Sequence, residues 1–303
     1  MLDENKNDLP IAIACRLDKQ NAIDLVSQII DYFKQKNVKF LLESRIAQKF
    51  SSYFQKELSK MNDQNVRIIL SIGGDGTILR ICQNLSSNPP PIIGLNIDSV
   101  GFLDEFELKK NNIYEFLDKI IENNYNIENF QKLATYYNDN RLKDALNEVY
   151  IVSSKLSKVL HVRIKIDGIL YNNAYLDGVI ISTPIGSTAY TLSAGGSIID
   201  PRLKLIQIVP VNPFAAGGAL KPIILPIKSK IEIELLRPNL NAYIIIDGRE
   251  EYKIAPKSVI RVTNSENEIK FARLENSINN FYNKLRTKIL SGPKIPEDDS
   301  PEE

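Results

Sequence analysis

The residues best equipped for chemistry are Gly73-Gly74-Asp75-Gly76-Thr77, a glycine-rich turn that carries one carboxylate. The apolar run from Val66 to Ile72 before it reads as a buried strand, and Ile78-Leu79-Arg80-Ile81-Cys82 after it reads as the start of a helix. Such a turn brings bare backbone N–H groups to a ligand. The helix N-terminus adds partial positive charge, so phosphate is the natural guest. Asp75 conflicts with that guest. A carboxylate beside phosphates is repulsive unless it holds a metal ion or takes a proton from a reacting hydroxyl, which points to phosphoryl transfer rather than simple phosphate binding.

A second constellation runs from Asp177 to Gly196. It begins as a buried strand and breaks at Pro184 and Gly186, where Ser187 or Thr188 can N-cap a short helical turn closed by Gly195 and Gly196. Its hydroxyls and freed backbone N–H groups suit ribose and phosphate, and Tyr190 offers an aromatic face for a base. A capped turn with solvated hydroxyls reads equally well. Asn147-Glu148 is a third candidate, at the end of the first strand-like element of a β-rich region. An amide beside a carboxylate reads a polar ligand through donors and acceptors together, although a strand-end pair facing water has the same sequence. Asp167-Gly168 and Asp247-Gly248 lie between alternating strands and read as hairpin turns.

These segments need elements to position them. Ile11–Cys15, Val38–Leu42, Val66–Ile72 and Pro91–Asn96 read as strands; Asn21–Lys36 and Ile46–Leu58 read as helices between them. Ile23, Val26, Ile29, Ile30 and Phe33 form the apolar stripe of the first helix. Alternating strands and helices imply a parallel sheet in an α/β layer, which places the glycine turn at a strand's carboxyl end, where open α/β sheets bind ligands. Near residue 126 the helical periodicity gives way to short alternating runs, the mark of a second, mainly β domain. A last helix spans Ser277–Leu290, with Phe281, Leu285, Ile289 and Leu290 on its apolar face, and the acidic, proline-containing stretch 291–303 reads as disordered.

Composition narrows the function further. A net charge of +1 gives no electrostatic case for a nucleic-acid or membrane partner. No apolar run suggests a signal peptide or a transmembrane helix, so a cytoplasmic protein is expected, with Cys15 and Cys82 as buried free thiols. His161 is the single histidine and lies in a strand-like run, so Ser-His-Asp catalysis and multi-histidine metal sites are set aside and acid–base work falls to carboxylates.

Taken together, these motifs resemble the NAD kinase family: GGDGT at 73–77, Gly94-Leu95-Asn96 with Gly101-Phe102-Leu103, Asn147-Glu148, the run 177–196 and Pro222-Ile223-Ile224, in the family's order. GGDGT alone is shared with diacylglycerol and sphingosine kinases; the STPIGSTAYTLSAGG block is far more specific. The resemblance implies a Rossmann-like α/β N-terminal domain (residues 1–126) and a mainly-β, sandwich-like domain (127–265). A helix at about 266–290 would return to the first domain. It implies transfer of a phosphoryl group from ATP or polyphosphate, with Mg²⁺ or another divalent metal, to the adenosine-ribose 2′-hydroxyl of NAD.

By position, Asp75 would be the catalytic carboxylate, flanked by Gly74 and Gly76 in the substrate loop. Asn147 and Glu148 would bind the adenine-ribose half and Asp177 the other half. Thr188, Ala189, Tyr190, Thr191, Leu192 and Ser193 would form the receiving wall. Phe102 and Lys158 are further substrate-binding positions, and no residue is assigned as a metal ligand. Asn212 falls where the family completes the site from a neighbouring subunit, so a homodimer or homotetramer is implied. The chain departs from the family at Asp98, Tyr175, Ile185 and Pro213-Phe214 with the following Ala215-Ala216-Gly217-Gly218. Tyr175 and Ile185 bear on the nicotinamide half and so on preference between NAD and NADH. The alternatives are a lipid kinase of the diacylglycerol type and a non-catalytic NAD(P)-binding sensor. The first lacks support because Gly94-Leu95-Asn96-Ile97-Asp98 stands where a Gly-Thr-Gly-Asn-Asp motif is typical. Retention of Asp75 weighs against the second.

Overall fold

Apolar strands alternating with amphipathic helices build the first layer, as the sequence pattern requires. The computed structural model describes residues 8–47, 49–50, 52–97, 101–107, 112–214, 220–274 and 277–290. Asp98, the segment 215–218 and the acidic stretch 291–303 therefore lie outside the described residues. The first part contains β1 (Ile11–Cys15), α1 (Gln20–Gln35), β2 (Phe40–Glu43), α2 (Ser44–Ala47), β3 (Gln55–Lys56), β4 (Ile68–Gly73), α3 (Asp75–Asn84), β5 (Ile92–Asn96), β6 (Phe106–Glu107), α4 (Ile113–Ile121) and β7 (Asn126–Phe130). The second contains β8 (Leu133–Tyr137), β9 (Asn140–Arg141), β10 (Glu148–Ser153), β11 (Leu160–Ile166), β12 (Ile169–Leu176) and β13 (Gly178–Ser182). It continues through α5 (Tyr190–Ser193), β14 (Leu205–Val211), β15 (Ile223–Pro226), β16 (Ile231–Leu235), β17 (Ala242–Ile246), β18 (Glu250–Ile254) and β19 (Val259–Asn264). The chain then gives β20 (Ile269–Arg273) and α6 (Ser277–Leu285).

The first sheet runs β3-β2-β1-β4-β5-β20-β7, with β6 beside β5. It is parallel from β3 to β20, and β7 closes it antiparallel. Its strands are buried on both faces, so they read as continuous apolar runs. One face carries α1, whose predicted stripe Ile23, Val26, Ile29, Ile30 and Phe33 is buried, together with Phe116, Leu117 and Ile120 of α4. The other face packs α3 residues Ile78 and Ile81 with Met61, and it also buries Leu146, which belongs to the second part.

Two expectations need correction. No helix spans Ile46–Leu58: the helix there is the single turn α2, followed by β3 and a 3₁₀ turn at Leu58–Lys60. The Leu42 N–H donates to Phe54 O at 2.9 Å, and Phe50 and Tyr53 reach the core from irregular backbone. Sheet pairing and aromatic burial outweigh a helical propensity that Ser51 and Ser52 already weaken. Sheet membership also changes later than the periodicity does, because β7 pairs with β20 in the first sheet.

The second part is a sandwich of two antiparallel six-stranded sheets, β15-β14-β13-β10-β17-β18 and β12-β11-β16-β19-β8-β9. Inward residues of both sheets meet in one core that includes Val149, Ile151, Val162, Ile164, Ile181, Ile233, Ile244 and Ile260. Both Asp-Gly dipeptides make hairpin turns. Asp167 and Gly168 have φ of 51° and 81°, and Asp247 and Gly248 have 50° and 63°. His161 is a strand residue, as expected, with its ring stacked on Tyr175 at 4.1 Å. Cys15 and Cys82 are buried free thiols, and burial raises their pKa values to about 11 and about 12. No described helix is long and apolar enough to cross a membrane.

Beyond β20 the chain stays with the first part. The Phe281 ring of α6 lies 6.4 Å from the Phe102 ring, and Lys284 Nζ donates to Phe102 O at 3.3 Å. Phe271 of β20 is fully buried, 5.6 Å from the Phe130 ring. Phe271→Ala should destabilise the protein by about 3–5 kcal/mol in urea unfolding, the range for removing a buried aromatic ring.

Candidate active site

Asp75 is the first residue of α3, and Gly74 precedes it in extended conformation. Both carboxylate oxygens are held: Phe102 N–H donates to Oδ2 at 2.8 Å and Leu103 N–H to Oδ1 at 3.0 Å. This explains why Gly101 precedes Phe102. A Cβ there would stand 1.8 Å from Asp75 Oδ1 and 2.4 Å from Asp104 Oδ2, so only glycine admits the two carboxyl groups. α3 itself is pinned to the sheet by Arg80, which donates to both Glu43 oxygens, the Nη2–Oε2 bond being 2.8 Å.

Beneath Asp75 lies a group of buried ionisable residues that the motifs did not reveal. Asp104 is 2% exposed, and Asn96 Nδ2 donates to its Oδ2 at 2.6 Å. Burial, then the Asp75 charge, pushes the Asp104 carboxyl up. Lys284 donates to the carbonyls of Phe102 and Asp104. Burial, then Arg273, lowers its pKa to about 8.

Glu148 opens β10, with Asn147 just before it, rather than ending a strand, and a distant residue shapes their backbone. Asp247, the hairpin aspartate, is 5% exposed. Its Oδ1 accepts from Asn147 N–H at 2.8 Å and Glu148 N–H at 3.1 Å, and its Oδ2 accepts from Leu146 N–H at 2.9 Å. Gln83 of α3 reaches across to donate to Ile246 O at 3.2 Å and Asp247 Oδ2 at 3.4 Å. Arg249, two residues on, donates to Gly76 O at 3.3 Å. The glycine turn and the Asn147-Glu148 strand are therefore tied together through one hairpin. The Asp247-Gly248 dipeptide was legible as a turn; its buried contact with residues about a hundred positions earlier was not. Glu148 is 5% exposed and its Oε2 is buried without a hydrogen-bond partner. Burial, then the Asp247 charge, raises its pKa to about 8.

The run 177–196 folds back against this strand. Gly186 packs on it closely, since a Cβ there would lie 2.1 Å from Asn147 O. The capping residue is neither Ser187 nor Thr188. Thr183 Oγ1 accepts from Gly186 N–H at 3.1 Å and donates to Leu146 O at 2.6 Å, while Ser187 Oγ is paired with Ile199. Ser182, Thr183, Ser187 and Thr191 are buried, so these hydroxyls build the wall instead of facing solvent. Thr188, Ala189 and Leu192 are half-buried, and Tyr190 and Ser193 are exposed.

The Tyr190 ring meets Tyr150 edge-on at 5.1 Å. Burial, then a hydrogen bond with Tyr190, pushes the Tyr150 phenol up, and Asp177 adds to that shift. Asn212 Nδ2 donates to Asp177 Oδ2 at 2.9 Å within the same chain. The structure thus brings Asp177, Tyr190 and Asn212 into one patch around Tyr150. Lys158 stands exposed in the turn before β11, with its N–H donating to Lys155 O at 3.1 Å. A cleft with a cavity volume of about 50 Å³ between the two parts is lined by Phe102, Leu103, Ile185, Thr188, Phe281 and Lys284, among others.

Two outcomes test this geometry. Gly101→Ala should displace the Asp75 carboxylate and lower turnover by ~10–100-fold, the usual effect of a misplacement near 1 Å. Glu148 is protonated in the fold and ionised in the unfolded chain between about pH 4.5 and about pH 8, so its contribution to stability is lost as pH rises through that window. Glu148→Gln should therefore leave the melting temperature nearly unchanged near the acid end and raise it relative to the native chain near the alkaline end.

The chain is similar to known proteins in sequence and in fold. Residues 11–125 match the ATP-NAD kinase N-terminal domain, and residues 146–274 match the ATP-NAD kinase C-terminal domain. The NAD kinase of Methanothermobacter thermautotrophicus is 33% identical over 282 residues, covering 93% of this chain and 96% of its own. That of Thermococcus gammatolerans is 34% identical, covering 88% of this chain and 94% of its own. An NAD kinase from Archaeoglobus fulgidus in complex with ATP superposes with a TM-score of 0.74 at 29% identity, covering 92% of this chain and 99% of its own. Yeast NADH kinase complexed with NADH shares the fold, with a TM-score of 0.81 at 21% identity, covering 93% of this chain and 87% of its own. By both domains and by relatives aligned along nearly its whole length, the chain belongs to the NAD kinase family.

Proposed function

We propose that this chain phosphorylates NAD at the 2′-hydroxyl of its adenosine ribose, with ATP as donor, to give NADP and ADP. The observation that carries this reading is the clasp of Gln83, Asp247 and Arg249. It sets the glycine turn, a phosphate-binding element, against the buried Asn147-Glu148 strand, where a polar acceptor is read. The unpartnered Glu148 Oε2 suits a hydroxyl or amino donor of the adenine-ribose half. Asp177 and the wall from Thr188 to Ser193 receive the rest of the dinucleotide, with Tyr190 packing on it.

Asp75 orients the ribose hydroxyl and accepts its proton. The ribose oxygen bonds to the γ-phosphorus as the bridging phosphorus–oxygen bond breaks, and that electron pair leaves on ADP. The N–H groups at the start of α3 hold the donor phosphates. Both Asp75 oxygens are engaged by Phe102 and Leu103 N–H, which holds this carboxylate for the ribose hydroxyl; a divalent cation such as Mg²⁺ would be carried on the ATP phosphates and would supply charge neutralisation there. Family membership and the ATP complex of the Archaeoglobus relative favour ATP over polyphosphate, and favour this kinase over a lipid kinase or a sensor. On this reading the enzyme acts in the cytoplasm as a homodimer or homotetramer, with Asn212 at the subunit contact, as the family resemblance implies.

Asp75→Asn keeps the shape and removes the base. NADP formation from NAD and ATP should fall by ~10²–10⁴-fold while NAD binding by calorimetry persists. Near-normal turnover in that variant would remove Asp75 from the mechanism.

A further inference from the structure

We infer that Asp104 is a positioning residue for phosphoryl transfer, which as an uncharged acid donates a hydrogen bond to Asp75 and keeps the pair at one negative charge beside the donor phosphates. This rests on the kinase reading above. The two carboxyl groups converge on the space left by the missing side chain of Gly101, with Asp75 Oδ1 and Asp104 Oδ2 facing each other across it. Asp75 is near enough to push the Asp104 carboxyl up, second only to burial. Asn96 Nδ2 fixes Asp104 Oδ2 from the far side at 2.6 Å. Asp104 Oδ1 points toward Gly94 and Ile78 and is buried with no donor beside it. An ionised carboxylate is penalised in such a place, while the carbonyl oxygen of an acid is tolerated.

The surrounding charges offset the second carboxyl group only in part. From α3 comes Asp75, a like charge. From α6 comes Lys284, whose ammonium is directed to the Phe102 and Asp104 carbonyls and favours an ionised Asp104 less than burial and the Asp75 charge oppose it. From β20 comes Arg273, which is occupied by Leu103 O at 2.9 Å and by Glu105 at 3.2 Å, with Glu128 of β7 at 3.4 Å. Two carboxyl groups this close share a proton rather than ionise together. The acid form of Asp104 supports the Asp75 carboxylate without competing for the ribose proton. Loss of the Asp104 proton would add a second negative charge where the transferred phosphoryl group must pass.

The test is kcat and KM for NAD across neutral and alkaline pH in the native enzyme, Asp104→Asn and Asp104→Ser. Both variants keep a donor and neither ionises. The native kcat should fall on an alkaline limb that moves up by about one pH unit or more in the variants, with KM little changed. In infrared spectra at neutral pH, a protonated-carboxyl band should be present in the native protein, absent from both Asp104 variants and retained in Glu148→Gln. Coincident pH profiles of native and variant enzymes, or a band unchanged by both Asp104 substitutions, would overturn the proposal. The second substitution decides if the first does not fold. Absence of NADP formation by the native protein would instead count against the kinase reading, since the infrared band reports the Asp104 proton independently of turnover.

Discussion

One buried carboxylate coordinates the architecture. Asp247 accepts hydrogen bonds from three successive backbone N–H groups, at Leu146, Asn147 and Glu148, and from the Gln83 side chain of α3. Those N–H groups lie where the chain enters β10 and have no strand partner of their own to satisfy them all. An unpaired buried donor costs about 1–3 kcal/mol, so the hairpin that carries Asp247 cannot move independently of the segment it serves. Because Gln83 lies on the glycine-turn helix, the same carboxylate also fixes where that helix stands relative to the sandwich. The separation of the glycine turn from the Asn147-Glu148 segment is thereby set by side-chain and backbone hydrogen bonds inside the protein.

The electrostatics follow from this enclosure. Asp247 and Glu148 form one buried acidic pair, and Asp75 and Asp104 form another. Each pair places a carboxyl with a raised pKa beside a partner that receives backbone N–H groups. Burial without a full set of counter-ions raises the pKa values of Asp104 and Glu148 to about 8. The site can thus contain four acidic side chains and still present limited negative charge to a triphosphate. Lys284 contributes in the same direction, because it is drawn to carbonyls and is not matched by a salt bridge among the described residues.

Much of this was legible in the sequence, for physical reasons that differ by element. The apolar run, glycine turn and helix around Asp75 depend on local backbone preferences, and their order fixed the turn at a strand end. The Asp-Gly hairpins were legible because positive φ at two successive positions demands such residues. The segment Ile46–Leu58 misled because its periodicity is helical while Phe50, Tyr53 and the Leu42–Phe54 hydrogen bond answer to the sheet edge. Thr183, rather than Ser187 or Thr188, caps the turn because Leu146 O lies within its reach, which only the tertiary fold determines. The importance of Asp104 and Lys284 was hidden for the same reason: adjacency to Gly101-Phe102-Leu103 does not announce burial.

The return of β20 and α6 to the first sheet has a consequence for how the protein is made. Strands β8 to β19 are contiguous in the chain and pair only among themselves, so the sandwich can form as soon as the ribosome has released them. The first sheet cannot. Its neighbour to β5 arrives last, and Lys284, which buttresses the Phe102–Asp104 backbone, later still. The nascent chain must therefore carry an unfinished glycine-turn domain until every sandwich strand has been made. The Asp75 carboxylate acquires its final surroundings only after the whole sandwich has been synthesised.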